Sequence, residues 1–533
     1  MVIVSLFLLI ACINLATLLM ARGAARQHEV ALRIALGASR PRLARQVLIE
    51  PLLLSATGSL IAVFLAYFGA GALMHIMLSG RPMPGIAPNL EIRAYPDLHV
   101  LLFTVAAAML AALLAGLFPA LRAFGNVPAT PLQQARSAGE TRFRRMIGKS
   151  LVVTQVALSL VLLSAAALFV GYLSHLEHLN LGFSRDHLLL VTLDSSQSGY
   201  EDAQLSRLYQ DLLRQLQAIP GARSATLSAM TPISGSGRAC FCVSVEGREE
   251  KLENHHDLVS INWVAPNYFQ TYGTPLLAGR DFTVQDENGP RAAIINHSMA
   301  NYYFGGGSPI GKHLTFDLDD KPYEIVGVAG DAKYNDIREA PPHTIYLDTF
   351  QAGNRSSQFT LRTNVNPSSV DPAVRQIVRA SLKGVSVARL VTMADQVDAT
   401  IVPERFIVTL SGWLGALGGL LVAIGLYGLL SYSVARRISE IGVRMALGAT
   451  RNNVSRMILG EAFRMVCAGL AIGAPLAIWG KTFSTHLIQD LPSNNAPPIV
   501  IGGVAMLVVA LFSTCMPARR AARLDPMVAL RSD

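Results

Sequence analysis

Residues 28–40 read HEVALRIALGASR and residues 439–451 read SEIGVRMALGATR. An offset of 411 pairs Glu29 with Glu440, Arg33 with Arg444, Gly37 with Gly448, Ala38 with Ala449 and Arg40 with Arg451. Each copy follows one long apolar run and precedes another, and the match continues into the second run, where Glu50 meets Glu461 and Gly58 meets Gly469. A second pair of blocks closes each copy: FPALRAFGNVPATPLQQ (118–134) and MPARRAARLDPMVALRS (516–532), offset by 398. A repeat on this scale fixes the architecture before any single element is assigned. The second copy is 13 residues shorter between its blocks, a deficit that falls most simply in the loop around 76–97, rich in proline (82, 84, 88, 96).

Of the 533 residues, 51% are hydrophobic and only 15% charged, with mean hydropathy +0.38. That balance describes a membrane protein carrying one large soluble insert. A helix rising 1.5 Å per residue needs roughly 20 apolar residues to cross about 30 Å of hydrocarbon. Seven stretches satisfy this: 1–21, 50–74, 98–121, 150–172, 406–434, 457–480 and 498–516. None has Lys, Arg, Asp or Glu near its middle; Glu461 and Arg464 lie within the first two turns of theirs, close enough to the interface to snorkel.

Segments 22–45, 122–149, 434–456 and 517–533 hold 21 of the 45 Lys and Arg against five acids. Threading seven spans puts all four on one face, which the positive-inside rule makes the cytoplasm. The N-terminus is then outside and the C-terminus inside. The pI of 9.4 follows from this topology, and nothing in it calls for a nucleic-acid partner. The first residue lies in the middle of a repeat unit, so the natural reading frame is expected to begin further upstream, with one more span and another external domain.

Residues 175–404 form the insert, long enough for a core of its own. Apolar runs at 188–193, 257–264, 292–296, 323–329 and 386–391 read as strands. Between 201 and 219, Leu205, Leu208, Leu212, Leu216 and Ile219 recur at helical spacing. The expectation is an α+β domain, one lobe or two. In the repeated segment, EVALRIALG reads as a short amphipathic helix on the membrane face with Glu and Arg at i, i+4. One copy alone would pass for a solvated loop. Two copies in register favour a shared docking surface. Gly415 and Gly419, and Gly469 and Gly473, make GxxxG pairs that let helices approach closely, within the chain or between subunits.

Three stretches imitate catalytic motifs. GGSPIGK (306–312) fits seven positions of a phosphate-binding loop, but His313 stands where Ser or Thr would hold Mg²⁺, so a glycine-rich turn is expected. HEVAL (28–32) begins like a zinc-protease helix, yet Leu32 cannot ligate metal. Cys240 and Cys242 lie at the far edge of disulfide reach if the strand between them is extended, leaving a strained or redox-labile bond open. No metal, cofactor or catalytic constellation is expected.

The EIGVRMALGA block, the closing P-A-x-R block, and within the insert NWVAPNYFQTYGTPLLAGRDFT (262–283), AAIINHSMANYYF (292–304), SPIGKHL (308–314) and YEIVGVAGDAKY (323–334) together resemble the FtsX-like permeases of MacB-type ABC transporters. The stretch 403–437 is similar to that family's stalk-forming span, and the duplication is most like that of acidobacterial orphan permeases. The resemblance implies an α-helical polytopic inner-membrane protein with duplicated FtsX-like modules and an α+β periplasmic core domain. Its parts would be a first module (1–133), a cytoplasmic segment with the fourth span (134–174), the periplasmic domain (175–404) and a second module (405–533). It implies a non-catalytic subunit partnered by a separate cytoplasmic P-loop ATPase, with room for a second permease copy or a periplasmic partner. Glu29, Arg33, Gly37, Ala38 and Arg40, with Glu440, Arg444, Gly448, Ala449 and Arg451, would line the ATPase-facing loops. A membrane-anchored sensor or scaffold regulating an envelope enzyme is the competing expectation.

Overall fold

A computed structural model of the protein describes residues 2–25, 49, most of 52–71 and 97–113, and 134–522 except 197, 235–237, 241–242, 247–258, 317–318, 352–355, 436–437, 448–449 and 486–495. These residues divide into two compact units, a helical one and a mixed one spanning His175–Pro403.

The helical unit holds α1 (Val2–Ala25), most of α2 (Gln134–Glu177) and four helices that follow the mixed unit. Four helical stretches are long and apolar enough to cross a membrane: Met146–Glu177, Val402–Val434, Arg451–Phe483 and Ala496–Arg519. The three stretches expected as the first spans contain shorter apolar helices among the described residues, Val4–Leu15, Ser55–Gly69 and Leu101–Leu110. The first of these lies within α1, which runs for 24 residues in all.

In the mixed unit, β1 (Leu188–Asp194) is followed by α3 (Asp202–Gln217), β2 (Ala222–Ser228), β3 (Arg238–Cys240), β4 (Val243–Val245) and β5 (Val259–Val264). Then come α4 (Tyr268–Tyr272), β6 (Leu276–Gly279), β7 (Ala292–Asn296), α5 (His297–Phe304), β8 (His313–Phe316) and β9 (Asp319–Ala329). The unit closes with β10 (Thr344–Asp348), β11 (Gln358–Thr363), α6 (Asp371–Ser381), β12 (Ser386–Thr392) and α7 (Met393–Thr400). The chain then returns to the helical unit through α8 (Val402–Ala435), α9 (Ile438–Ala446), α10 (Arg451–Thr485) and α11 (Ala496–Ala522).

The strands make one sheet in the order β12-β1-β11-β2-β5-β10-β7-β9-β8-β4, with β3 added to β5 and β6 to β9. Pairing is antiparallel except for β5 with β10 and β7 with β9. The sheet carries two apolar cores. One gathers β1, β2 and β11 under α3 and α6, around Tyr209, Leu212, Leu216, Phe359 and Val374. The other gathers β5, β7, β9 and β10 with α5, around Ile261, Ile295, Met299 and Ile345. The helix read from leucine spacing is α3, and its Leu205, Leu212, Leu216 and the following Ile219 are buried in the first core as the 3.6-residue period requires.

The two cores meet where β2 and β5 share a single register pair, Ser228 with Val264. Asn262, fully buried, extends that narrow joint: its Oδ1 accepts from Met230 N at 3.1 Å and its Nδ2 donates to Met230 O at 3.0 Å, an amide doing what a peptide ladder does elsewhere. Nδ2 also reaches the hydroxyls of Tyr334 and Tyr268, at 3.3 and 3.4 Å.

The phosphate-loop imitation is a turn. It runs from the end of a helix, α5, to the start of a strand, β8, the reverse of the strand-to-helix order that aims backbone N–H groups at phosphate. Gly305, Gly306 and Gly311 hold positive φ there, and Lys312 lies over the Phe304 ring, 5.1 Å from its centroid. Cys242 and the Cys240 side chain fall outside the described residues, as does the HEVAL stretch.

Candidate functional site

Within the helical unit, α2 is the central helix. Half of its apolar window is buried, against 28%, 33% and 22% for the windows in α8, α10 and α11. Glycines let its neighbours close in. A Cβ at Gly469 or Gly473 of α10 would lie 2.6 Å from Val156 and 2.8 Å from the Ala157 carbonyl oxygen of α2. On α8, Gly415 faces Leu163 of α2 at 3.1 Å, whereas Gly419 faces Val509 of α11 at an ordinary 3.8 Å. The GxxxG pair of α10 therefore seats one helix edge on α2, and that of α8 is split between two neighbours. Outward, Trp413, Leu420, Trp479 and Phe512 are all more than half exposed, an apolar surface that lipid would cover.

At one end of this bundle α9 lies against the base of α10. Ile441, 1% exposed, joins Val454, Ile458 and Ala462 in the bundle core with Met445 packed beside it, which leaves the opposite face of the helix exposed among the described residues. On the free face stand Glu440 and Arg444, paired i, i+4 at 2.7 Å and each about half exposed, with Val443 and Leu447 beside them, 44% and 83% exposed. Glu440 in the first turn and Arg444 in the last both complement the helix dipole. Arg444 Nη1 also donates to Met457 Sδ at 3.1 Å, tying α9 to the next helix. Thr450 caps α10 by accepting from Asn453 N at 3.4 Å, and Arg451 begins that helix exposed. Gly448, Ala449 and the whole first copy, with Glu29, Arg33, Gly37, Ala38 and Arg40, lie outside the described residues.

Glu461 departs from expectation. It does not reach outward: its side chain is 12% exposed and pairs with Lys149 of α2 at 2.6 Å. Lys149 is the last charge before the apolar run of α2, so the pair pins α10 to α2 at the edge of the apolar zone. Arg464 behaves as expected of a boundary residue, remaining exposed and bonding the Gly460 carbonyl at 3.2 Å.

A second device sits at the base of the mixed unit, where the chain enters and leaves. Arg185 bonds the Glu177 carbonyl at the end of α2 at 3.5 Å and forms an ion pair with Asp398 of α7. Arg338 adds a bond to the Thr400 carbonyl at 3.2 Å, two residues before α8. These contacts clasp the incoming and outgoing strands of chain. No sequence reading singled out Arg185 or Lys149, because their ion-pair partners, Asp398 and Glu461, are more than 200 residues away. Among the described residues no group of three His, Cys, Asp or Glu is placed to hold a metal.

A family profile described as the MacB-like periplasmic core domain matches residues 156–381, and one described as the FtsX-like permease C-terminal matches two segments, 1–128 and 413–526. The chain is an ABC transporter permease of the FtsX and MacB type. The permease is 25% identical over 281 residues to the macrolide export ATP-binding/permease protein MacB of Mannheimia succiniciproducens, covering 51% of this chain and 43% of that protein. It is 28% identical over 271 residues to the pyoverdine export ATP-binding/permease protein PvdT of Pseudomonas aeruginosa, covering 48% and 40%. These alignments span less than half the length of either relative. The periplasmic region of MacB from Actinobacillus actinomycetemcomitans aligns at 14% identity with a TM-score of 0.29, covering 41% of this chain and 94% of that one. By the profile match over 156–381, the mixed unit of the permease is a MacB-like periplasmic core domain, and its long apolar helices embed the permease in the membrane.

Proposed function

We propose that this permease couples ATP hydrolysis on a separate cytoplasmic P-loop ATPase subunit to movement of its periplasmic domain, for export or for transmitting force across the bacterial inner membrane. The observation that carries the reading is the free face of α9. A charge pair flanked by two exposed apolar side chains, on a short helix anchored by Ile441, suits a protein partner better than lipid or water. The sequence repeats that residue pattern around Glu29 and Arg33. Basic segments on the same side of the spans support a cytoplasmic location for both, with the C-terminus inside and residue 1 outside. The Lys149–Glu461 pair and the clasp around Arg185 supply a path: α9 bears on α10, α10 is pinned to α2, and α2 ends in the clasp of the periplasmic domain.

The test is capture of the full chain from its native membranes in mild detergent, with mass spectrometry of what accompanies it and an ATPase assay. Glu29→Lys combined with Glu440→Lys should insert normally and lose a P-loop ATPase that the unaltered chain retains. If neither chain brings down an ATPase while both are folded and inserted, the sensor or scaffold reading replaces this one.

A further inference from the structure

The offset of 411 that aligns the two docking segments also aligns α1 with α8. It places Ile13-Asn14-Leu15 on Ile424-Gly425-Leu426 and sets Leu6, Leu9, Leu18 and Leu19 on leucines. Asn14 and Gly425 are thus two copies of one position, and the structure brings them together: a Cβ at Gly425 would lie 3.1 Å from Asn14 Oδ1. In an interface between two equivalent helices related by a two-fold axis, equivalent residues meet only on that axis.

We infer that residues 14 and 425 mark the internal two-fold axis of the duplicated chain, and that this pair has become unequal, Asn against Gly, so that α8 seats α1 of the same chain and excludes a second copy. Asn on both sides would put two amides into the space of one; Gly on both sides would leave that space empty. The third group at the site is Gln155 of α2, fully buried, with its Oε1 2.8 Å from the same Cβ point. Among the described residues Asn14, 4% exposed, has no partner for Oδ1, and Gln155 has none for either amide atom. Both side-chain oxygens border the space a Cβ at Gly425 would fill, and a half turn of the Gln155 amide would turn its N–H toward that space, on whose edge Asn14 offers an acceptor. A second chain docking its own α8 at this place would set Gly425 against Gly425 and leave Gln155 without that acceptor. The inference stands on the duplication and is independent of ATPase coupling.

The experiment uses the full chain in its membranes, with Cys12, Cys240, Cys242, Cys467 and Cys515 replaced by Ser. Asn14→Cys with Gly425→Cys, oxidised or treated with a short bis-thiosulfonate and then cleaved in the periplasmic domain, should leave the two fragments joined at the mass of one chain. Gly425→Cys alone should give no linked dimer. A linked dimer through residue 425, or no link between 14 and 425 with either reagent, overturns the inference. Because a side chain at 425 crowds Gln155, the pair is also made with Gln155→Ala, which must give the same result. A double-mutant cycle of Asn14→Leu and Gln155→Leu reads the amide bond itself: the unfolding constant should show a coupling of about threefold to twentyfold, and additive effects would dispose of the bond.

Discussion

Asp348 closes β10 with a side chain that is almost fully buried, its carboxylate accepting from Phe350 N at 2.9 Å. Burial, reinforced by the nearby charges of Asp286 and Glu287, pushes its pKa up to about 6. Burial does the same for Asp281, also to about 6. An acid that binds its proton more tightly in the folded state stabilises that state below its folded pKa and loses this contribution as pH rises through it. Asp286 is shifted the other way, first by its hydrogen bonds from Arg280, so its contribution is lost only as pH falls into the carboxylate range. Between pH 7.5 and 5 the periplasmic domain should therefore become more heat-stable. Asp348→Asn should raise its stability at pH 7.5 by on the order of 2 kcal/mol and flatten that rise, as read by thermal unfolding across the pH series. Asn262 makes the opposite prediction. Asn262→Leu leaves Met230 N and O unpaired at the joint of the two cores and should cost roughly 2–4 kcal/mol, measured by denaturant unfolding; a loss below about 0.5 kcal/mol would remove the role given to that amide. Neither residue stands out in the sequence, since an Asn or Asp in a strand acquires its meaning from the neighbour that folding supplies.

Elements were legible where periodicity is strong. The runs at 188–193 and 292–296 are β1 and β7, and the leucine spacing at 201–219 is α3, because a buried stripe must repeat with the backbone that carries it. Strands β2, β10 and β11 escaped that reading: TIYLD, for instance, is buried at all five positions, and a short run with both faces covered has no alternation to detect. The glycine pairs were visible as motifs, but not which neighbour each would meet. Gly469→Leu should test the closest approach. With its Cβ 2.6 Å from Val156, α10 cannot seat on α2, and the variant is expected to insert yet lose most of its yield as a monodisperse particle in detergent, whereas Gly460→Leu, which faces open space, should not. Equal behaviour of the two variants would show that α10 does not depend on that contact.

For the whole molecule, two cores on one sheet and a clasp at the base make the periplasmic domain self-contained. Residues 175–403 expressed alone should be soluble and unfold in a cooperative transition, and Arg185→Ala should leave that core intact while exposing the segments around 178–186 and 398–402 to limited proteolysis. Protection unchanged by the substitution would mean that the clasp does not hold the two ends.

The sequence by itself determined the class of this protein: duplicated modules, apolar runs of membrane length, basic connecting segments and a large insert all follow from local composition and from a repeat that needs no coordinates. Tertiary structure alone decided that Glu461 turns inward to Lys149, that Arg185 closes the domain's base on Asp398, and that Asn14 lies against its own repeat partner Gly425. Each of those pairs joins residues more than 200 positions apart. Periodicity acts through neighbours a turn or a strand away, so it says which face is buried, while the partner on that face is chosen only when the helices and strands pack.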